Sequence, residues 1–147
     1  MKKKLFLALL FCLLLVGQAV ASQATKTLVD GIVLSDVVTS ATGTDYLGDA
    51  DKAAFFVTYD ETDANAALSL AITCQISWDN STWLSASFYD YAGTETLQTS
   101  ETLTGDINYY FWFNQNLTVP YVKVILTPTG HDSTHTALVS VYSIKKQ

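Results

Sequence analysis

The chain has only two histidines, His131 and His135, and both fall in one short stretch, P-T-G-H-D-S-T-H, with Asp132 and Ser133 between them. A hydrolase needs a nucleophile beside a base, or two carboxylates held apart across a substrate. Sequence neighbours in a turn point in different directions and do not build such a site, and neither G-x-S-x-G nor H-E-x-x-H occurs. We therefore read no enzyme here. His131, Asp132 and His135 would suit a metal if they shared a helical face, but a turn leading into a strand gives no such face, and a solvated turn is the simpler reading. Carboxylates gather in two loops: Asp45, Asp49 and Asp51 in the first, Asp60, Glu61 and Asp63 in the next. The loops sit at opposite ends of one strand, so each would make its own site. Oxygen donors of this kind suit calcium, and the first loop is the candidate site, although the EF-hand spacing is absent. The alternative is plain solvated charge.

Aromatic residues are the other candidates. Trp83, Tyr89 and Tyr91 fall on one face of their segment, and Tyr110 and Trp112 share a face of another. Exposed coplanar rings would stack on sugars; rings packed between sheets would be core. Cys74 lies on the apolar face of the strongest strand, where a small buried hydrophobe is expected.

The elements that must position these residues are strands. From Leu68 the chain runs L-S-L-A-I-T-C-Q-I-S-W, with Leu68, Leu70, Ile72, Cys74, Ile76 and Trp78 on one face and polar or small residues on the other. Period two means a strand with one buried face. D-N-S-T (79–82) is turn chemistry, and Leu84, Ala86 and Phe88 then oppose Trp83, Ser85, Ser87, Tyr89 and Tyr91, so residues 68–91 read as an antiparallel hairpin. Around it, residues 27–39 read as one strand with a bulge at Gly31 or two short ones, 40–52 as a loop, 54–59 as a strand with Phe55, Val57 and Tyr59 inward, and 94–103 as a polar edge strand. Tyr109, Phe111 and Phe113 face opposite Tyr110 and Trp112, Val122, Val124 and Leu126 share a face, and 135–144 closes the domain. About eight strands spaced by turns, with no helical period, predict an all-β antiparallel sandwich, jelly-roll or Ig-like.

Lys2-Lys3-Lys4, the apolar run 5–16 and Ala19-Val20-Ala21 together read as a secretory signal peptide over residues 1–21. The run is shorter than the ~20 residues a spanning helix needs. The domain is then 22–147, exported to the cell surface or medium, with no membrane span after cleavage. Five lysines, fourteen carboxylates and no arginine remain in it, a net charge of −9. So acidic a chain is a poor partner for nucleic acid or an anionic membrane. With Cys74 the single cysteine left, no disulfide forms within it. Asn80-Ser81-Thr82 and Asn116-Leu117-Thr118 match glycosylation sequons and are read as turns.

The segments I-S-W-D-N-S-T-W (76–83) and V-P-Y-V-K-V-I-L-T (119–127) resemble small β-sandwich proteins of the discoidin-like and carbohydrate-binding kind, and accessory proteins of phage particles. The resemblance implies a sandwich over roughly residues 55–144 and carries no site residues with it. The functional expectation is a secreted, non-catalytic subunit of a cell-surface, extracellular or particle-like assembly. Its partners would be further copies of itself or another surface protein, with residues 27–39 as a strand it could donate. The alternative is a carbohydrate-binding module in which Trp83, Tyr89, Tyr91, Tyr110 and Trp112 meet a polysaccharide.

Overall fold

A computed structural model describes residues 23–38, 40–48, 50, 52–63, 67–90, 97–113 and 119–146. The signal peptide expected at 1–21 and the residues Asp49, Asp51 and Tyr91 lie outside them. Eleven strands are present among the described residues: β1 (Gln23–Leu34), β2 (Ala41–Tyr46), β3 (Lys52–Glu61), β4 (Ser69–Ser77), β5 (Leu84–Ala86), β6 (Phe88–Asp90), β7 (Leu97–Gln98), β8 (Ser100–Leu103), β9 (Ile107–Trp112), β10 (Tyr121–Thr129) and β11 (Ala137–Lys146). Among the same residues no helix is long and apolar enough to cross a membrane.

The larger sheet runs β1-β11-β3-β9-β6-β7 and the smaller β2-β10-β4-β5, with β8 also paired to β4. Every pairing is antiparallel. The first four strands alternate between the two sheets. That order, with the last strand beside the first, is a jelly roll, so the sandwich is of this kind and not Ig-like.

The core lies between the sheets, where the apolar sets predicted by alternation meet. Phe55, Val57 and Tyr59 of β3, Tyr109 and Phe111 of β9 with Phe113 just beyond it, and Val139 and Val141 of β11 line one wall. Leu70, Ile72 and Cys74 of β4 and Val122, Val124 and Leu126 of β10 line the other. The alternation of β4 breaks at its end. Ser77 is buried and Trp78 is 63% exposed, because the Ser77 hydroxyl turns to the Asp79 carboxylate, donating at 2.9 Å. Asp79 also accepts from the Ser81 and Thr82 amides, and Asn80 takes the left-handed φ of 60° that a short polar side chain tolerates. D-N-S-T is thus the turn expected, but Trp78 belongs to the surface and not to the core face.

The hairpin is shorter than expected. β5 pairs with β4 only from Leu84 to Ala86. The chain then crosses to the larger sheet as β6 and β7 and returns as β8, which continues along β4 from Leu103 to Ser100. This excursion splits the expected single edge strand into short pieces.

β1 begins at Gln23, four residues before the strand expected at 27–39, and ends at Leu34. It pairs with β11 from Gln23↔Lys146 to Leu34↔Ala137, with register shifts on both sides of Val29. Gly31, at φ 54°, donates its amide to Ser140 Oγ at 3.0 Å, which makes the bulge. The segment proposed for donation is therefore an ordinary edge strand of its own sheet, with Val29 and Leu34 buried and Val33 and Val37 exposed.

Cys74 is buried in the middle of β4, and burial alone pushes its thiol pKa well up. A thiolate does not form there at neutral pH. A soluble thiol reagent is expected to leave native protein unlabelled and to react once denaturant unfolds it; rapid labelling without denaturant would mean that β4 is in another register.

Candidate functional site

The outer face of the larger sheet carries the aromatic residues of interest. In an antiparallel sheet, residues directly opposite each other share a face. Tyr142 lies opposite Phe56, and Phe56 opposite Tyr110, so three rings form one rung across β11, β3 and β9. Two residues along each strand, Ile144, Ala54, Trp112 and Tyr89 form the next rung, across four strands. On the other side of the first rung stand Ser140, Thr58 and Asn108. No side chain of these three rungs is charged. Tyr110 is 47% exposed, and Phe56, Trp112, Tyr89 and Tyr142 are half-buried.

Ring geometry decides what this face can hold. Phe56 and Tyr110 have centroids 4.4 Å apart and planes 26° apart. Rings that close cannot lie flat side by side; they overlap face to face and stand on edge. Phe56 and Tyr142 follow at 6.2 Å and 27°, and Tyr89 and Trp112 at 6.0 Å and 18°. The face is a comb of upright rings rather than a flat platform.

Of the residues singled out in sequence, Tyr89, Tyr110 and Trp112 come together here. Tyr91 is outside the described residues. Trp83 does not join them: it precedes β5 in the smaller sheet, and Lys123 of β10 places its ammonium 3.7 Å from the ring centroid. Phe56 and Tyr142 were missed because their neighbours are the core residues Phe55, Val57 and Val141. Their outward alternation was visible; the pairing that aligns them with Tyr110 was not.

Asp45 has another role than the one expected. Residues 41–46 are strand β2, and Asp45 points inward, 1% exposed. Its Oδ2 accepts from Ser143 Oγ at 2.6 Å, and its Oδ1 from Lys26 and Lys145 at 3.2 Å each. The two lysines also donate to the carbonyls of Thr44 and Tyr46. Burial by itself would raise this carboxyl's pKa, but the bonds from Ser143, Lys26 and Lys145 and the Lys145 charge hold it below the ordinary value. Two ammonium groups neutralise Asp45 where a calcium ion was expected to. The arrangement ties β2 of one sheet to β1 and β11 of the other. Just beside it, a Cβ on Gly43 would come within 2.5 Å of Leu28 Cβ, so β1 lies directly on β2.

The histidines sit at the end of the sandwich. His131 Nε2 meets the Tyr59 hydroxyl at 3.1 Å, and burial lowers its pKa. His135 Nδ1 meets Asp132 Oδ2 at 2.9 Å and its Nε2 lies 3.7 Å from Asp63; the Asp132 hydrogen bond and charge raise its pKa. Asp132 is otherwise a turn former, accepting from the amides of Thr134 and His135. Among the described residues, no group of three His, Cys, Asp or Glu is placed to hold a metal ion. Titration followed by NMR is expected to put His131 below the ordinary value of 6.5 and His135 above it. The His135 contribution to stability is then present below 6.5 and lost as pH rises through its folded pKa. That of His131 is present above 6.5 and lost as pH falls through its own. Coincident titration of the two would contradict both contacts.

A hollow of about 180 Å³ opens between Trp78, Leu84, Val119 and the Asp79 turn. Trp78 and Leu84 are each more than 60% exposed.

No protein-family model and no curated protein matches the chain. Among solved structures, the crystal structure of SPBc2 prophage-derived protein YomS is similar, with a TM-score of 0.63 and 14% identity over 88% of this chain and 97% of that one. The crystal structure of PirA has a TM-score of 0.35 and 10% identity over 90% and 99%. The likeness to YomS is one of fold, an all-β one, and the discoidin-like part of the resemblance is not met by it.

Proposed function

We propose that this chain is an exported, non-catalytic β-sandwich that works by association, as a structural or adhesive subunit of a cell-surface, extracellular or particle-like assembly. The observation that carries the reading is the uncharged, partly exposed aromatic face on the larger sheet of a strongly acidic protein. Interface cores are depleted of charge and enriched in Tyr, Trp and Phe, and this face has that composition. Donation of residues 27–39 is not the route, because β1 is already paired with β11 in its own sheet. β1 is bulged and lies against β2, β7 has two residues, and the β5–β8 edge is interrupted, all of which blunt an edge against a further strand. Side-by-side contact through a face remains. Export follows from the leader, and intact mass of the mature protein should place its first residue near Ser22.

The test is electron microscopy of the secreted protein in its native setting. Regular multimers or a decorated surface are expected. Dispersed particles of single-domain size that attach to nothing would overturn the reading.

A second reading, a carbohydrate-binding module, draws on the exposure of Tyr110 beside Trp112. The upright rings weigh against it, since Phe56 and Tyr110 cover each other's faces, which a sugar would need. Retention on insoluble polysaccharide that Trp112→Ala abolishes would favour this reading over the first.

A further inference from the structure

We infer that the aromatic face of the larger sheet is a self-contact: two copies of this chain pack sheet against sheet about a two-fold axis. The inference rests on the association reading and names its partner.

Charge chooses the partner. The chain carries fourteen carboxylates against eight lysines. Beyond the leader, the three lysines with described side chains are all engaged by the chain's own groups: Lys26 and Lys145 by Asp45, Lys123 by Trp83. Two copies of such a molecule repel each other wherever charged surfaces face. The three rungs around Phe56 carry no charge; neutrality ends at Asp60, one rung beyond Thr58, and at the opposite end at the Lys146–Lys52 pair, one rung beyond Ile144 and Ala54. A second copy can approach there without placing carboxylate on carboxylate. Within the three rungs a charged partner would find nothing to pair with.

Shape agrees with charge. A comb of rings on edge presents ridges and gaps, and the ridges of an identical comb fill those gaps when it is turned by a two-fold rotation. An isologous contact needs this self-complementarity, because each residue meets the same patch on the other copy.

Sedimentation velocity of the purified protein over a wide concentration range tests this. Wild type should shift from monomer to dimer as concentration rises. Tyr110→Lys should weaken dimerisation roughly a hundredfold, since symmetry places the new charge in the contact twice. Asn108→Asp, at an exposed site on the neighbouring rung, should weaken it with every ring in place, which guards against a folding defect in the first variant. Trp83→Lys, on the other sheet, should leave the dimer unchanged. A wild type that stays monomeric overturns the inference, as does a dimer indifferent to both face variants. If the monomer is still retained on polysaccharide through Tyr110, only the identity of the partner was wrong. If it binds neither itself nor polysaccharide and is dispersed in its native setting, the association reading falls with it.

Discussion

Asp45→Ala is expected to cost about 3–5 kcal/mol, the range for removing one partner of a buried ion pair and leaving the others uncompensated. Ser143 is fully buried and would lose its acceptor, and Lys145, 16% exposed at its side chain, would keep its charge with no carboxylate. Lys26 is half exposed and can turn to water, so the loss should come mainly from β11 and less from β1. Equilibrium denaturation in urea measures it, and an effect under 1 kcal/mol would mean that Asp45 is already solvated. The pH dependence has a fixed sign. Asp45 has a folded pKa below the ordinary 3.8, so its contribution is complete above 3.8 and is lost as pH falls through the folded value. The acid limb of a stability profile should therefore be shallower in the alanine variant than in wild type.

Phe111→Ala should be of similar size, about 3–5 kcal/mol, as for a large aromatic deleted from a close-packed interior. Phe111 is 0% exposed and touches four rings. Phe55 stacks on it at 5.1 Å, Phe88 is tilted against it at 4.8 Å, and Tyr109 and Phe113 lie at 5.9 and 6.3 Å. These neighbours come from β3, β6 and β9 and the residue after β9, so the site cannot close by moving one strand. Phe111→Leu should recover a large part of the loss. Thermal and urea unfolding of the pair would check this, and equal midpoints for wild type and alanine would place Phe111 outside the core.

Period-two patterning revealed the strands wherever one face is buried against the opposite sheet. Leu70, Ile72 and Cys74, Phe55, Val57 and Tyr59, and Val122, Val124 and Leu126 all face inward as their alternation requires. Patterning alone gives a loop at β2 because A-T-G-T-D-Y contains Gly43 and Asp45, residues depleted from strands. Both are there for tertiary reasons, one to admit Leu28 and one to hold two lysines, and neither partner is near in sequence. The crossing at Ser87 was hidden for a related reason: alternation continues from Ala86 to Phe88 whether or not the chain changes sheets. The candidate site was half legible. Tyr110 and Trp112 could be paired from spacing, but Phe56, Tyr142 and Tyr89 join them only through strand register, which depends on the whole topology. Trp83 and Tyr89, grouped by alternation along one segment, were separated by that same crossing.

The pairing of β1 with β11 has a mechanical meaning. Gln23 is matched to Lys146, so the two ends of the folded domain leave it side by side. Force applied through both ends would open the β1–β11 ladder one rung at a time, the weak loading direction for a sheet, instead of stressing all its rungs in parallel. Lys26 and Lys145 lie within the first few rungs, so the Asp45 contact is the first strong link that such a force would meet. A subunit tethered at one end only never feels this loading. Under traction in an assembly, this domain holds if its neighbours grip it by the face, and peels if they grip it by both ends.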